Sequence, residues 1–165
     1  MHAALFAVAA RLDRAQVPWR LAGGTGRLLL GMPGRPSDVD IEVAAAHTDR
    51  AAALLGLPAP VHTEGGGWSS LRSQGLRAGV HVDLSGSLRV EGPGGVLLAD
   101  DAQTVAVPFG AGTVHVEAPG ESLARAVVAG DATREARARA QLPADPADAL
   151  AYAESRIAAA ANAAR

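Results

Sequence analysis

The chain has 165 residues, a formal charge of −2, a pI near 6.2 and no cysteine. That length suits one domain with a sizeable core, and the mildly acidic balance excludes the basic stripe of a dedicated nucleic-acid binder. Without cysteine, disulfides, a thiolate nucleophile and a cysteine-bound zinc are excluded, and the redox compartment is not encoded.

At the N-terminus Leu5, Val8 and Leu12 recur at helical spacing, with Ala9 completing the stripe. This predicts a helix over 3–16 that packs on a sheet. Arg11, Asp13 and Arg14 stand in place of a signal-peptide cleavage region, no apolar run reaches membrane-spanning length, and the expected address is the cytoplasm. Val17-Pro18-Trp19-Arg20-Leu21-Ala22 predicts a short strand, Gly23-Gly24-Thr25 breaks it, and an apolar helical run starts at Gly26 and ends near Gly31. Glycines at a strand-to-helix turn let backbone N–H groups approach an anion, and the helix N-terminus adds partial positive charge, so this loop suits phosphates. Gly31-Met32-Pro33-Gly34-Arg35-Pro36 cannot be helical and folds the chain back beside the first strand.

The next segment, Ser37-Asp38-Val39-Asp40-Ile41-Glu42-Val43, is the most informative. As a strand over 39–43 it places Val39, Ile41 and Val43 on one face and Asp38, Asp40 and Glu42 on the other. Two carboxylates pointing the same way within about 7 Å repel each other and raise each other's pKa unless a cation sits between them. Mg²⁺, held by one or two carboxylates plus substrate phosphates, is the economical cation, which makes a triphosphate the first substrate to consider. Glu42, about 7 Å further along the strand, is an accessory at most.

Further on, Thr48-Asp49-Arg50 starts a helix ended by Gly56 and Pro58, and a strand from Trp68 to Ser73 pairs with 77–84 across a turn at Gln74-Gly75-Leu76. In that second strand Val80, Val82 and Leu84 share one face, His81 and Asp83 the other. Val105-Ala106-Val107 and Val114-His115-Val116 flank Phe109-Gly110-Ala111-Gly112 as a hairpin. The chain then turns helical, with Gly130 as a C-cap, Asp131 as the N-cap of 132–141, and Asp145-Pro146 as an N-cap followed by proline at the first helical position. Helices with a mostly antiparallel sheet make the class α+β. Trp68 reads as core, Arg134, Arg137 and Arg139 as a solvated helix face, and His81 is open between proton shuttle and plain surface residue.

The order strand, Gly23-Gly24, short helix, turn with Arg35, then Ser37-Asp38-Val39-Asp40-Ile41 resembles the nucleotidyltransferase superfamily that includes DNA polymerase beta. The small aminoglycoside and lincosamide nucleotidyltransferases are closest in layout. The resemblance covers roughly 17–85, and in that family a third acid arrives on a later strand, where this chain has Asp83. It implies a single domain over 1–165, with a core over about 1–118 and a terminal helical segment over about 119–165. It also implies that Asp38, Asp40 and Asp83 hold one or two Mg²⁺, Asp83 either completing the second metal site or taking a proton. Gly23, Gly24, Thr25, Arg27, Arg35 and Ser37 are implied to bind the nucleoside triphosphate, with ATP the leading donor and a small hydroxylated antibiotic the leading acceptor. A register aligning Asp83 with Asp40 would gather three carboxylates around one cation.

All 15 cationic side chains are Arg, so the triphosphate can be neutralised only by guanidinium groups that cannot act as bases at neutral pH. With the heavy use of Ala, Gly and Pro, this reads as the codon usage of a GC-rich bacterial genome. Two other functions fit the same fold: a toxin that nucleotidylates protein or tRNA, and a non-catalytic nucleotide or protein binder. A dinucleotide-binding reductase does not fit, since Leu29 and Leu30 stand where its third glycine belongs and Asp38 and Asp40 fall at the start and middle of their strand, not at its carboxyl end.

Overall fold

The computed structural model describes residues 2–33 and 35–164; Gly34, in the turn expected before the acidic strand, lies outside them. α1 (His2–Arg14) buries Ala4, Leu5, Val8 and Leu12 against the sheet. The chain enters β1 (Arg20–Ala22) later than expected. Val17 N–H still closes the end of α1 on the Leu12 carbonyl at 3.0 Å, and Pro18 has no N–H to give a neighbour, so the ladder starts at Arg20.

α2 (Gly23–Leu29) leads to β2 (Asp38–Val43), α3 (Thr48–Leu55), β3 (Val61–Gly65), β4 (Trp68–Arg77), β5 (Val80–Gly92), β6 (Gly95–Leu98), β7 (Thr104–Phe109) and β8 (Gly112–Glu117). These strands form one sheet in the order β3-β4-β5-β2-β1-β8-β7, with β6 also on β5. Only β2–β5 and β1–β8 pair in parallel, so the sheet is mixed and mostly antiparallel, as the α+β reading requires.

The hairpin of β4 and β5 departs from expectation. β4 runs unbroken through Gln74-Gly75-Leu76, and the turn falls at Ala78-Gly79, whose φ values of +48° and +74° join Arg77 to Val80 in a two-residue loop. Gly75 is a packing glycine within the strand: a Cβ there would lie 2.9 Å from Leu57 Cδ2. β5 also continues well past Ser85. Ser69 faces Arg89 while Leu71 faces Gly86, so β5 carries a bulge near Ser87, at φ +54°, that breaks the alternation a sequence can display. β3 and β6 were not expected, because the exposed β3 has no apolar alternation and β6 has only four residues.

After β8, α4 (Glu121–Ala129), α5 (Ala132–Ala140) and α6 (Ala147–Ala163) follow. Gly130 is left-handed at φ +70°, and the Asp131 carboxylate accepts the Arg134 N–H at 2.9 Å, both as expected. α6 is shifted by one: Pro146 is the cap, its carbonyl taking the Leu150 N–H at 2.8 Å, and Asp145 caps nothing by its side chain. Leu123, Val128 and Ala153 from these helices share a second core with Val90 and Leu97 of the sheet.

Ala78 is the strained residue of the tight hairpin, since an L side chain in the left-handed region costs about 1–2 kcal/mol, more than glycine's extra chain entropy. Ala78→Gly is expected to stabilise the protein by about 0.5–1 kcal/mol, a rise of about 2 °C in thermal midpoint. A lower midpoint would place the turn elsewhere.

Candidate active site

The register of three strands builds the site. β2 runs parallel to β5 with Asp40 opposite Asp83, Asp38 opposite His81 and Glu42 opposite Ser85. On its other side β1 places Ala22 opposite Asp40 and Arg20 opposite Glu42. Strand alternation therefore sets Asp38, Asp40 and Asp83 on one face of adjacent strands about 4.8 Å apart, the register the sequence reading expected.

Gly23 follows directly, at φ +61°, and a Cβ on it would lie 1.8 Å from Asp40 Oδ2. Only glycine leaves room for that carboxylate. α2 starts here, three residues earlier than expected, with no side-chain cap from Ala22.

Above this face lies a cleft of about 670 Å³. Asp40, Asp83 and Ser85 form its floor, Gly23 and Arg27 one end, and Trp68 and Thr63 of the β3–β4 hairpin the other. The opposite wall is α5, whose Arg134, Arg137, Ala138 and Gln141 recur at helical spacing. Arg134 stacks over the Trp68 ring at 4.5 Å, so Trp68 is a cleft residue as well as a partner of the second core. Arg139 points elsewhere and pairs with Glu135 at 2.9 Å.

Other expected residues fall outside the cleft. Thr25 is buried and its hydroxyl donates to the Asp38 carbonyl, tying α2 to β2 in place of facing a phosphate. A Cβ on Gly24 would meet Pro36 Cβ at 3.1 Å, and Arg35 and Ser37 are exposed on the loop before β2. The Gly23 N–H, expected to meet a phosphate, donates to Glu117 Oε1 at 3.2 Å.

Burial pushes the Asp40 carboxyl up to about 6, and the neighbouring charges of Asp38, Asp83 and Glu117 add to the shift against a smaller opposing effect of Arg27. Asp83 has its own partners. Arg72 Nε donates to both of its oxygens, at 2.9 and 3.0 Å, and Gln74 Nε2 donates to Oδ2 at 2.8 Å. Among the described residues no three acids or histidines are grouped so as to hold a metal ion. The three carboxylates share one face without forming such a group, and Asp83 is held by Arg72 and Gln74. What fits a divalent cation is the pair Asp38 and Asp40, where burial and mutual repulsion leave Asp40 short of positive charge.

Beneath the floor runs a buried ion network. Arg125 grips Glu42 with two hydrogen bonds of 2.6 and 3.0 Å and Glu121 with a third of 3.0 Å, while Arg20 adds 2.9 Å to Glu42. Burial works to raise Glu42, but Arg125 and Arg20 outweigh it and hold the carboxyl below its ordinary value. Glu42 is therefore a structural ion-pair partner, with no part in an expected metal shell. Glu117 accepts the Ser122 hydroxyl at 3.1 Å on Oε1, and its Oε2 lies 3.4 Å from Arg125 without a hydrogen bond. Burial raises its carboxyl, only partly countered by Arg125.

A Gly-Gly turn packed on an Asp-x-Asp strand, with a third Asp in register on the neighbouring strand, is the layout of the nucleotidyltransferase fold, and the comparisons with known proteins agree with it. The aminoglycoside-2''-adenylyltransferase family model matches residues 4–85, just under half of the chain. Among solved structures, a Thermotoga maritima protein assigned to the nucleotidyltransferases is similar at TM-score 0.69, with 16% identity over 82% of this chain and 88% of that one. The lincosamide antibiotic adenylyltransferase LnuA, solved with lincomycin, is similar at TM-score 0.54, with 16% identity over 94% and 97%. ANT(2'')-Ia, solved with adenylyl-2''-tobramycin, gives TM-score 0.52 and 11% identity over 98% and 95%. No curated protein matches in sequence.

Two outcomes follow from the electrostatics. Because the folded state raises the Asp40 pKa from 3.8 to about 6, it binds the proton more tightly than the unfolded chain, and stability falls as pH rises through that window. Asp40→Asn is expected to exceed the wild type by up to about 3 kcal/mol above pH 6 in metal-free buffer, with the gap closing towards pH 4; pH-dependent urea denaturation measures it, and a constant gap would refute the assignment. Arg125→Met leaves Glu42 and Glu121 buried without their central cation and should cost about 3–5 kcal/mol. A loss under about 1 kcal/mol would show that the carboxylates find other partners.

Proposed function

We propose that the chain transfers a nucleoside monophosphate from a nucleoside triphosphate, ATP first, to a hydroxyl of a small antibiotic-like acceptor. The observation that carries this reading is the Asp40–Asp83 register beside the Gly23 turn, at the floor of an open cleft of about 670 Å³. The likeness to adenylyltransferases solved with lincomycin and with adenylyl-tobramycin supports the donor and acceptor classes.

Asp38 and Asp40 would hold Mg²⁺, which when bound supplies charge neutralisation at the α-phosphate. The triphosphate tail lies against the glycine turn, where Arg27 is the neutralising cation. Gly23 contributes space there and no hydrogen bond, because its N–H is held by Glu117. The acceptor hydroxyl oxygen forms a bond to the α-phosphorus as the bond to the bridging oxygen breaks, and pyrophosphate leaves with that electron pair. The hydroxyl proton passes to Asp83, whose Oδ1 carries one hydrogen bond and keeps a lone pair open.

The test is pyrophosphate release from each of the four ribonucleoside triphosphates, with Mg²⁺ and with lincomycin or tobramycin as acceptor. Turnover is expected to fall by at least about 100-fold in Asp38→Asn and in Asp83→Asn, with both proteins folded. Either variant retaining full turnover would remove that residue from the mechanism. Nucleotide binding without pyrophosphate release across a wider panel of hydroxylated acceptors would mark a non-catalytic binder.

A further inference from the structure

Asp83 is where a second metal ion would have to bind, and a guanidinium already occupies it. Besides the two Nε contacts, Arg72 Nη2 pairs with Asp83 Oδ2, the same oxygen that receives Gln74. An ionised carboxylate offers about four lone-pair positions. Oδ2 is filled, and Oδ1 keeps one. The sheet itself builds this clamp: Gln74 lies directly opposite Asp83 and Arg72 opposite Ser85, so the two donors are the direct and diagonal cross-strand neighbours of the carboxylate on one face.

We propose that Arg72 takes the place of a second divalent cation, so that the site holds one metal ion, on Asp38 and Asp40, and Asp83 stays outside the metal shell. This rests on the nucleotidyl-transfer reading above. In two-metal sites the ions stand about 3.5–4 Å apart and share a carboxylate between them. Here the carboxylate opposite Asp40 has one oxygen filled and the other shared with a permanent cation, which also repels a divalent ion placed beside it. Arginine suits that duty because its planar fork matches a carboxylate and it never deprotonates. Arg72 is a positioning residue: it acts through Asp83, keeping the carboxylate oriented and free of metal.

The experiment counts Mn²⁺ bound per full-length chain, by electron paramagnetic resonance of the free ion, at saturating α,β-methylene-ATP. One Mn²⁺ is expected in the wild type, two in Arg72→Gln, where the charge is gone, and one in Arg72→Lys, where it remains. Asp83→Asn should bind Mn²⁺ within about twofold of wild type, whereas loss of a ligand or its supporting partner costs about 10–100-fold. Two ions in the wild type or in Arg72→Lys, one ion in Arg72→Gln, or a tenfold loss in Asp83→Asn would each overturn the proposal. Should Arg72→Gln fail to fold, the wild-type, Arg72→Lys and Asp83→Asn measurements still decide it. A folded wild type that retains neither Mn²⁺ nor nucleotide overturns the nucleotidyl-transfer reading, and this inference with it.

Discussion

The buried guanidinium of Arg125 is the constraint on which the site depends. Its partner Glu42 lies two residues beyond Asp40 on β2, and its other partner Glu121 opens α4 and is held in turn by Arg156 at 3.0 Å and Tyr152 at 2.7 Å from α6. The acidic strand and the terminal helices are thus locked to one another through a single cation. Burying each ion costs several kcal/mol, while an ion pair at 4 Å gains about 4 kcal/mol at an effective dielectric of 20. One pair alone would barely break even. Arg125 succeeds by facing two carboxylates with three hydrogen bonds, and Arg20 and Arg156 supply further positive charge at the ends of the network.

The accounting closes imperfectly at Glu117, and that is informative. It is buried, one of its oxygens has no hydrogen bond, and its carboxyl is raised. Its other oxygen holds the Gly23 N–H, so the glycine turn is fixed by a strained group at the back of the cleft. Asp40 is strained in front of it, by burial and by like charge. Local conflicts that packing does not require collect at functional sites, and both of these flank the same glycine.

How much of this was legible in the sequence depended on the range of the interactions. Alternation over a few residues displayed the acidic face of β2 and the polar face carrying Asp83, and Asp131 and Gly130 announced the start and stop of helices. The turn at Gln74-Gly75-Leu76 was misplaced because Gly75 serves packing against Leu57, a contact invisible in a linear reading. That error hid Arg72 and Gln74, whose alternation around Ser73 would have set them beside Asp83 once the true turn at Ala78-Gly79 was recognised. Arg125 and Glu117 left no local signal at all. An arginine that meets Glu42 83 positions away looks like any amphipathic helix residue until the fold closes.

The division between what is shared and what is particular to this chain falls inside the cleft. The family match over 4–85 takes in Gly23, Asp38, Asp40, Arg72 and Asp83, the groups assigned to donor, metal and proton. It ends before Glu117 and Arg125 beneath the floor, and before the α5 wall of Arg134, Arg137 and Gln141, which faces Asp40 and Asp83 across the cleft. Chemistry that depends on strand register is carried by the matched half, because a one-residue slip would turn every carboxylate to the other face. The shape and charge of the facing wall come from α5, in the half the match leaves out. Two arginines on it, one stacked on Trp68, make that wall positively charged. The cleft thus joins a floor set by strand register to a helical wall, α5, that lies outside the matched residues.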